Sequence, residues 1–235
     1  MNHEWPTPES TPIDWQDSCR LVPSRFPPVS LFESVADPAD LEVVFAIESL
    51  GNPRLRDAVG ELSLVPLEER ISGPGCSAIM AAFTHLNPEG SRFSDGSFGV
   101  YYAAARLETA IAEVSHHRAR FLARTKEPPI EVDMRCYRVT LNAQLHELRG
   151  RRDGRFLSVY DPDSYAASQS LARQLRATGS AGLCYDSVRE PGGQCVALFT
   201  PRAAVPPARQ AEHVSLHWNG QRMSDWYLKS EHHRF

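Results

Sequence analysis

Four side chains of this sequence pair useful chemistry with a local setting that could exploit it: Arg92, Tyr102, Glu113 and Ser187. Arg92 brings a planar fork of donors that suits a diphosphate, and the nearby Ser94, Gly96 and Gly99 would let the backbone approach a ligand closely. A structural ion pair is its plain alternative. Glu113 falls at the edge of an apolar helical face that includes Ala110 and Val114. Its carboxylate is either held at the rim of the core or solvated and paired with His117 or Arg120, the commoner fate of a helix glutamate. Tyr102 and Tyr101 are strand neighbours and point to opposite faces, so they cannot share one role, and packing is the alternative for either. Ser187 sits in no G-x-S-x-G elbow and has no evident triad, which assigns it hydrogen bonding, or the capping of a turn, over nucleophilic attack.

Other chemistries find less support. The His116-His117 and His232-His233 pairs invite a metal, yet adjacent histidines on a helix diverge and H-E-x-x-H is missing, so no metal is assigned. His117, four residues after Glu113, is instead a partner for that carboxylate. Cys19, Cys76, Cys136, Cys184 and Cys195 are odd in number and form no C-x-x-C pair. They read as reduced thiols packed in a core. G-x-G-x-x-G and G-x-x-x-x-G-K-[ST] are both absent, so a nucleotide site would have to be built in another way. A formal charge of −4 and a pI near 6.1 leave no basic surplus for direct nucleic-acid binding. No signal-peptide pattern and no membrane-spanning apolar run is seen, which gives the expectation of a cytoplasmic protein.

The elements that must position these groups are legible in outline. Residues 1–17 lack periodicity and read as a flexible arm ahead of one domain over 18–235. Ser18 to Pro23 reads as an entering strand, and a helix is expected from Asp37 to Gly51 with Leu41, Val44 and Phe45 on one face. Turns fall at Gly51-Asn52-Pro53 and Gly73-Pro74-Gly75, with a short apolar piece from Ala78 to Phe83. Phe98 to Ala103 predicts a strand running into an amphipathic helix whose inner face takes Leu107, Ala110, Ile111, Val114, Phe121 and Leu122. Glu131 to Leu141 alternates as a strand. Asp161-Pro162 opens a helix with Leu171, Ala172 and Leu175 inward and Gly179 at its exit. Ala181 to Tyr185 and Cys195 to Thr200 flank Pro191-Gly192-Gly193 as a hairpin. His213 to Trp218 and Gln221 to Trp226 flank Asn219-Gly220 as a second, with a tight primed turn. Strands interleaved irregularly with three helices predict a single mixed α+β domain, not a regular parallel α/β sheet.

The segment from Gly90 to Glu113, in which an arginine precedes a strand tyrosine and a helix glutamate, resembles the signature of the RES-domain family, the toxin component of RES/Xre toxin–antitoxin pairs. Arg92, Tyr102 and Glu113 stand at the matching places. The family's serine before a C-terminal hairpin matches Ser187, within the run from Gly182 to Phe199. The resemblance spans roughly Arg20 to Pro201, with its signature core at about 90–200. It implies a fold similar to ADP-ribosyltransferases, with a central, largely antiparallel split sheet. It further implies NAD as substrate, with no prosthetic group, and cleavage of the nicotinamide–ribose bond with water or phosphate as acceptor. Nicotinamide leaves as a neutral molecule and the ribose becomes oxocarbenium-like, so the useful groups are a carboxylate facing that cation and anchors for the dinucleotide. By the resemblance, Glu113, Arg92, Tyr102 and Ser187 form the catalytic set and Arg20, Arg92, Tyr102 and Ser187 contact NAD. Tyr102 would stack on nicotinamide or donate its hydroxyl. An Xre-type antitoxin is the implied partner, and the stretch before Arg92, by family analogy, could serve a partner or self-association. ADP-ribose transfer to a protein, and a catalytically inactive nucleotide-binding module, are the competing readings.

Overall fold

The computed structural model describes residues 4–25, 31–34, 41 and 60–230. The helix expected from Asp37 to Gly51, and the turn after it, lie outside the described residues except for Leu41, which is helical and buried. Among the described residues seven strands form one sheet: β1 (Ser10–Pro23), β2 (Tyr101–Ala104), β3 (Ile130–Glu147), β4 (Gly182–Asp186), β5 (Gln194–Leu198), β6 (Ala204–Trp218) and β7 (Met223–Leu228). The helices that pack on it are α1 (Ser77–Thr84), α2 (Leu107–Thr125) and α3 (Ala166–Ala177). The strand order is β1-β2-β5-β4-β3-β6-β7, with β1 also pairing β3, and all pairings are antiparallel except β3–β4. The chain is thus a mixed α+β domain, as its pattern predicts.

Two parts of this sheet are continuous within themselves and barely joined. β1 runs along β3 from Ser10↔His146 to Pro23↔Met134, and β6 and β7 extend that group. β2, β5 and β4 form the other group, tied to the first by Cys19↔Ala104 alone on one side and by His146↔Leu183 and Glu147↔Cys184 on the other. These thin seams are where the sheet splits. Apolar side chains fill both faces. On β5, Cys195 and Ala197 enter one core while Val196 and Leu198 enter the other, the strict alternation of a strand covered on both sides. The first core takes α2 and α3, through Leu107, Ala110, Ile111, Leu171, Ala172 and Leu175; the second takes α1 through Ile79, Met80 and Phe83.

Several expectations need correction. The supposed arm is largely strand: β1 starts at Ser10, and Ile13 is buried in the second core. The pattern was obscured by a bulge, since two residues separate Trp15 from Ser18 while only one separates their partners Leu141 and Val139. One extra residue flips the faces, so Ile13 and Trp15 serve the second core while Cys19 and Leu21, of the same parity, serve the first. Phe121 is 41% exposed, because the core-facing stripe of α2 passes from Val114 to Leu122 and leaves its neighbour outside. β2 begins at Tyr101, and β3 continues to Glu147 because it has β1 to pair with along that length. Asp161 holds a turn, accepting the Asp163 and Ser164 amides at 2.8 and 2.9 Å, so α3 starts only at Ala166. Gly179 closes it with φ +77°. The last hairpin has a longer loop than a primed turn: Trp218 pairs with Met223, and the Asn219 side chain accepts the amides of Gln221 and Arg222.

If Ile13 belongs to the core, Ile13→Ala should cost about 2–5 kcal/mol of unfolding free energy. Urea denaturation checks this, and a change within error of zero would return the segment to a loose arm.

Candidate active site

The carboxylate of Glu113 meets the turn that follows β4. Ser187 donates its hydroxyl to Glu113 Oε1 at 2.6 Å, and the Val188 amide donates to the same oxygen at 3.3 Å. Ser187 is 2% exposed and its hydroxyl also accepts the amides of Arg189 and Glu190 at 3.0 and 2.9 Å. A hydroxyl with those donors behind it has its own proton free for the carboxylate, which is a positioning arrangement and not that of an activated nucleophile. The turn is fastened to the start of α2: Thr109 donates to Glu190, and Arg106 pairs with the same carboxylate at 3.3 Å. Gly193 permits that approach, since a Cβ there would lie 2.7 Å from both Glu190 Oε2 and Thr109.

Arg92 comes from the loop before β2 and is 5% exposed. Its Nη1 donates to the carbonyls of Val159 and Asp161 at 3.1 and 3.0 Å, and its guanidinium lies 4.7 Å from the centre of the Tyr165 ring. Arg189 holds the same loop from the Ser187 side, donating to Pro162 O at 2.6 Å. Phe93 stands edge-on to Tyr185 at 4.9 Å, linking the Arg92 loop to β4 two residues before Ser187. The charges of Arg92 and Glu113 both reach the buried Tyr185 and Cys195. Burial raises the phenol and the thiol well above their ordinary values, with Glu113 adding to the rise and Arg92 opposing it. Arg92, Glu113 and Ser187 therefore gather around one end of β4, though they come from three separate stretches of the chain.

Tyr102 joins this face, opposite to Tyr101, as strand alternation requires. Its hydroxyl is occupied: it accepts the Phe93 amide at 2.8 Å and shares a 2.8 Å hydrogen bond with the Ser91 hydroxyl. Burial pushes its phenol up to about 12. Tyr102 thereby pins the residues on either side of Arg92, a support for the arginine loop. Arg20 stands apart from Glu113. Its guanidinium lies 4.7 Å over the ring of Tyr101, in the second core, and its Nη1 donates to Tyr102 O at 3.1 Å, so it braces β2 at the seam. A small hollow lined by Leu64, Phe83, Phe98, Gly99, Arg176 and Phe199 has room for about one water, and none of the five expected residues lines it.

Tyr165, Arg189, Glu190 and Thr109 went unnoticed in the sequence. Glu190 and Arg189 share the Ser187 turn, which is a usable signal; nothing in spacing connects Tyr165 with Arg92. His117 lies 6.4 Å from Tyr165, ring to ring, and 5.6 Å from His116. Although His117 keeps an exposed edge, desolvation of the ring and then the guanidiniums of Arg189, Arg92 and Arg120 hold it down at about 4. His116 is also held at about 4, by desolvation and then by Arg189 and His117.

The family model for the RES domain matches residues 68–219. The protein y4oC of Sinorhizobium fredii (strain NBRC 101917 / NGR234), described as uncharacterized, is 33% identical over 215 residues, covering 88% of this chain and 85% of its own. Among solved structures, a chain from a crystal structure of the M. tuberculosis MbcT–MbcA toxin–antitoxin complex is similar over 87% of this chain and 86% of its own, at 12% identity and a TM-score of 0.45.

With both histidines held near 4 against an ordinary 6.5, the folded chain binds fewer protons than the unfolded one between those values. Their contribution to stability is then fully present above about pH 6.5 and is lost as pH falls towards 4. Denaturant midpoints should drop over that window, and His117→Asn should flatten the drop; an unchanged pH slope in the variant would remove His117 from the account.

Proposed function

The chain belongs to the RES-domain family, and on that premise we propose that it is an NAD-degrading enzyme that cleaves the bond between nicotinamide and ribose and passes the ADP-ribosyl group to water or phosphate. The observation that carries the proposal is the Glu113 carboxylate held at 2.6 Å by Ser187, on the same end of β4 as the buried guanidinium of Arg92. Cleavage of this bond needs little help at the leaving group, which departs neutral. The barrier lies in the oxocarbenium character of the ribose, and a fixed carboxylate lowers it by electrostatic complementarity. Ser187 and the Val188 amide hold one oxygen of Glu113, leaving the other to face the sugar or its hydroxyls. Arg92 has donors beyond the Nη1 committed to Val159 and Asp161, and these would take a phosphate oxygen of the dinucleotide. Tyr102 fixes the arginine loop, and Tyr165 covers one face of the guanidinium.

In this reading the protein acts in the cytoplasm as the toxin of a toxin–antitoxin pair, with an Xre-type antitoxin neutralising it. Among the described residues no helix is long and apolar enough to cross a membrane. NAD is the substrate, and Arg92, Tyr102, Ser187 and Glu113 form its site, with Arg20 bracing the strand that carries Tyr102.

Purified protein incubated with NAD, with and without phosphate, should release free nicotinamide, and Glu113→Gln should slow that release by roughly 10²–10³-fold while the protein stays folded. Absence of release under both conditions would overturn the proposal. ADP-ribose appearing on protein instead of in solution would assign the transferase reading. Ser187→Ala should retain measurable turnover, whereas complete loss with a trapped adduct in the parent enzyme would make the serine a nucleophile.

A further inference from the structure

β7 is the last strand of the sheet, and among the described residues it pairs with β6 alone. Its other edge carries Trp226, Tyr227 and Leu228 at 41, 42 and 48% exposure, an unusual set for an edge, where charges and proline ordinarily discourage pairing. The hydrogen-bond phase of that edge follows from the inner ladder. Lys229 N donates to His213 O at 2.8 Å, and Tyr227 and Asp225 stand opposite Ser215 and His217 in the same phase. The main-chain groups of 225, 227 and 229 therefore face β6, while those of Ser224, Trp226 and Leu228 face outward, with no strand among the described residues to receive them.

We infer that β7 is a dimerisation strand that pairs antiparallel, about a two-fold axis, with β7 of a second copy of this chain. Pairing outward groups with outward groups admits only even-sum registers, and one of these makes chemical sense. With Tyr227 opposite Tyr227 of the second copy, Trp226 meets Leu228 in hydrogen-bonded pairs and Asp225 meets Lys229 in closely spaced pairs without hydrogen bonds, each contact occurring twice. Trp226 and Leu228 lie across from Leu216 and Val214 of the first core, so the pairing would continue that apolar row from one copy into the other. On the opposite face, Lys229 already contacts Asp133 at 2.6 Å, and Asp225 of the second copy would flank it from the other side. The charges complement each other in this register. Shifting it by two, to put Trp226 opposite itself, moves Asp225 from Lys229 to Tyr227 and loses both ion pairs.

Light scattering on the whole purified chain at micromolar concentration should return about twice 26.2 kDa. Trp226→Pro removes an outward amide that β6 does not use, so the variant should keep the parent's circular dichroism and run as a monomer. Asp225→Lys and Lys229→Glu, each alone, set like charges opposite one another twice and should weaken self-association at least tenfold. Mixed together, these two variants restore both ion pairs and should form a heterodimer. A monomeric parent, a Trp226→Pro variant that still dimerises, or a mixture no more associated than its components would each overturn the assignment. None of these readouts depends on NAD cleavage, so the result stands apart from the enzymatic proposal.

Discussion

The hydroxyl of Ser187 has three obligations in a space almost closed to water: two backbone amides point at its oxygen, and its single proton goes to Glu113. Because a buried donor or acceptor left unmatched costs about 1–3 kcal/mol, this junction fixes the conformation of the turn after β4 and the place of α2 relative to it. Much else follows from it. Glu190 is drawn back to Thr109 and Arg106 at the helix start, and Arg189 is aimed at the loop carrying Asp161 and Tyr165. That loop in turn receives Arg92 on its Val159 and Asp161 carbonyls. A carboxylate and a guanidinium are thereby gathered at one end of β4, and among the described residues no hydrogen bond joins the two.

The sheet makes this gathering possible through its seams. A continuous ladder between β1 and β2 would continue past Cys19↔Ala104; here it stops, and Arg20 fills the opening by reaching Tyr102 O and stacking on Tyr101. The bulge in β1 matters equally. By reversing which side chains face which core, it lets one strand serve α1's core at its start and the α2 and α3 core at its end, so the long β1–β3 ribbon spans both. The five cysteines are accounted for in the same way: all are free and buried, small apolar units of these two cores.

Much of this architecture was readable along the chain because periodicity is local. The hydrophobic spacing of α2 and α3, the alternation of β4 and β5 around Pro191-Gly192-Gly193, and the opposite orientations of Tyr101 and Tyr102 are all set by residues a few positions apart. The signature of Arg92, Tyr102, Glu113 and Ser187 was likewise visible as residue types in order. Where reading failed, a long-range partner had intervened. The alternation that runs through Ile13 and Trp15 is cut off by the bulge before Ser18, so it does not continue in phase into Cys19 and Leu21, and the segment becomes a strand only because β3 continues to Glu147 to receive it. Phe121 satisfies helical spacing on paper, yet the buried stripe of α2 runs from Val114 to Leu122 and leaves it exposed.

By itself the sequence determined the family and the mixed α+β class, since these depend on residue identity and short-range periodicity. The tertiary structure alone decided where the side chains of the signature sit and what they touch. It turned Tyr102 into an anchor for the arginine loop and set Arg20 against Tyr101. It also brought Tyr165 and Arg189 to the neighbourhood of Arg92 and Glu113. Such roles depend on which hydrogen-bond donors and acceptors meet across distant stretches of chain, and those partners are ones that no local pattern names.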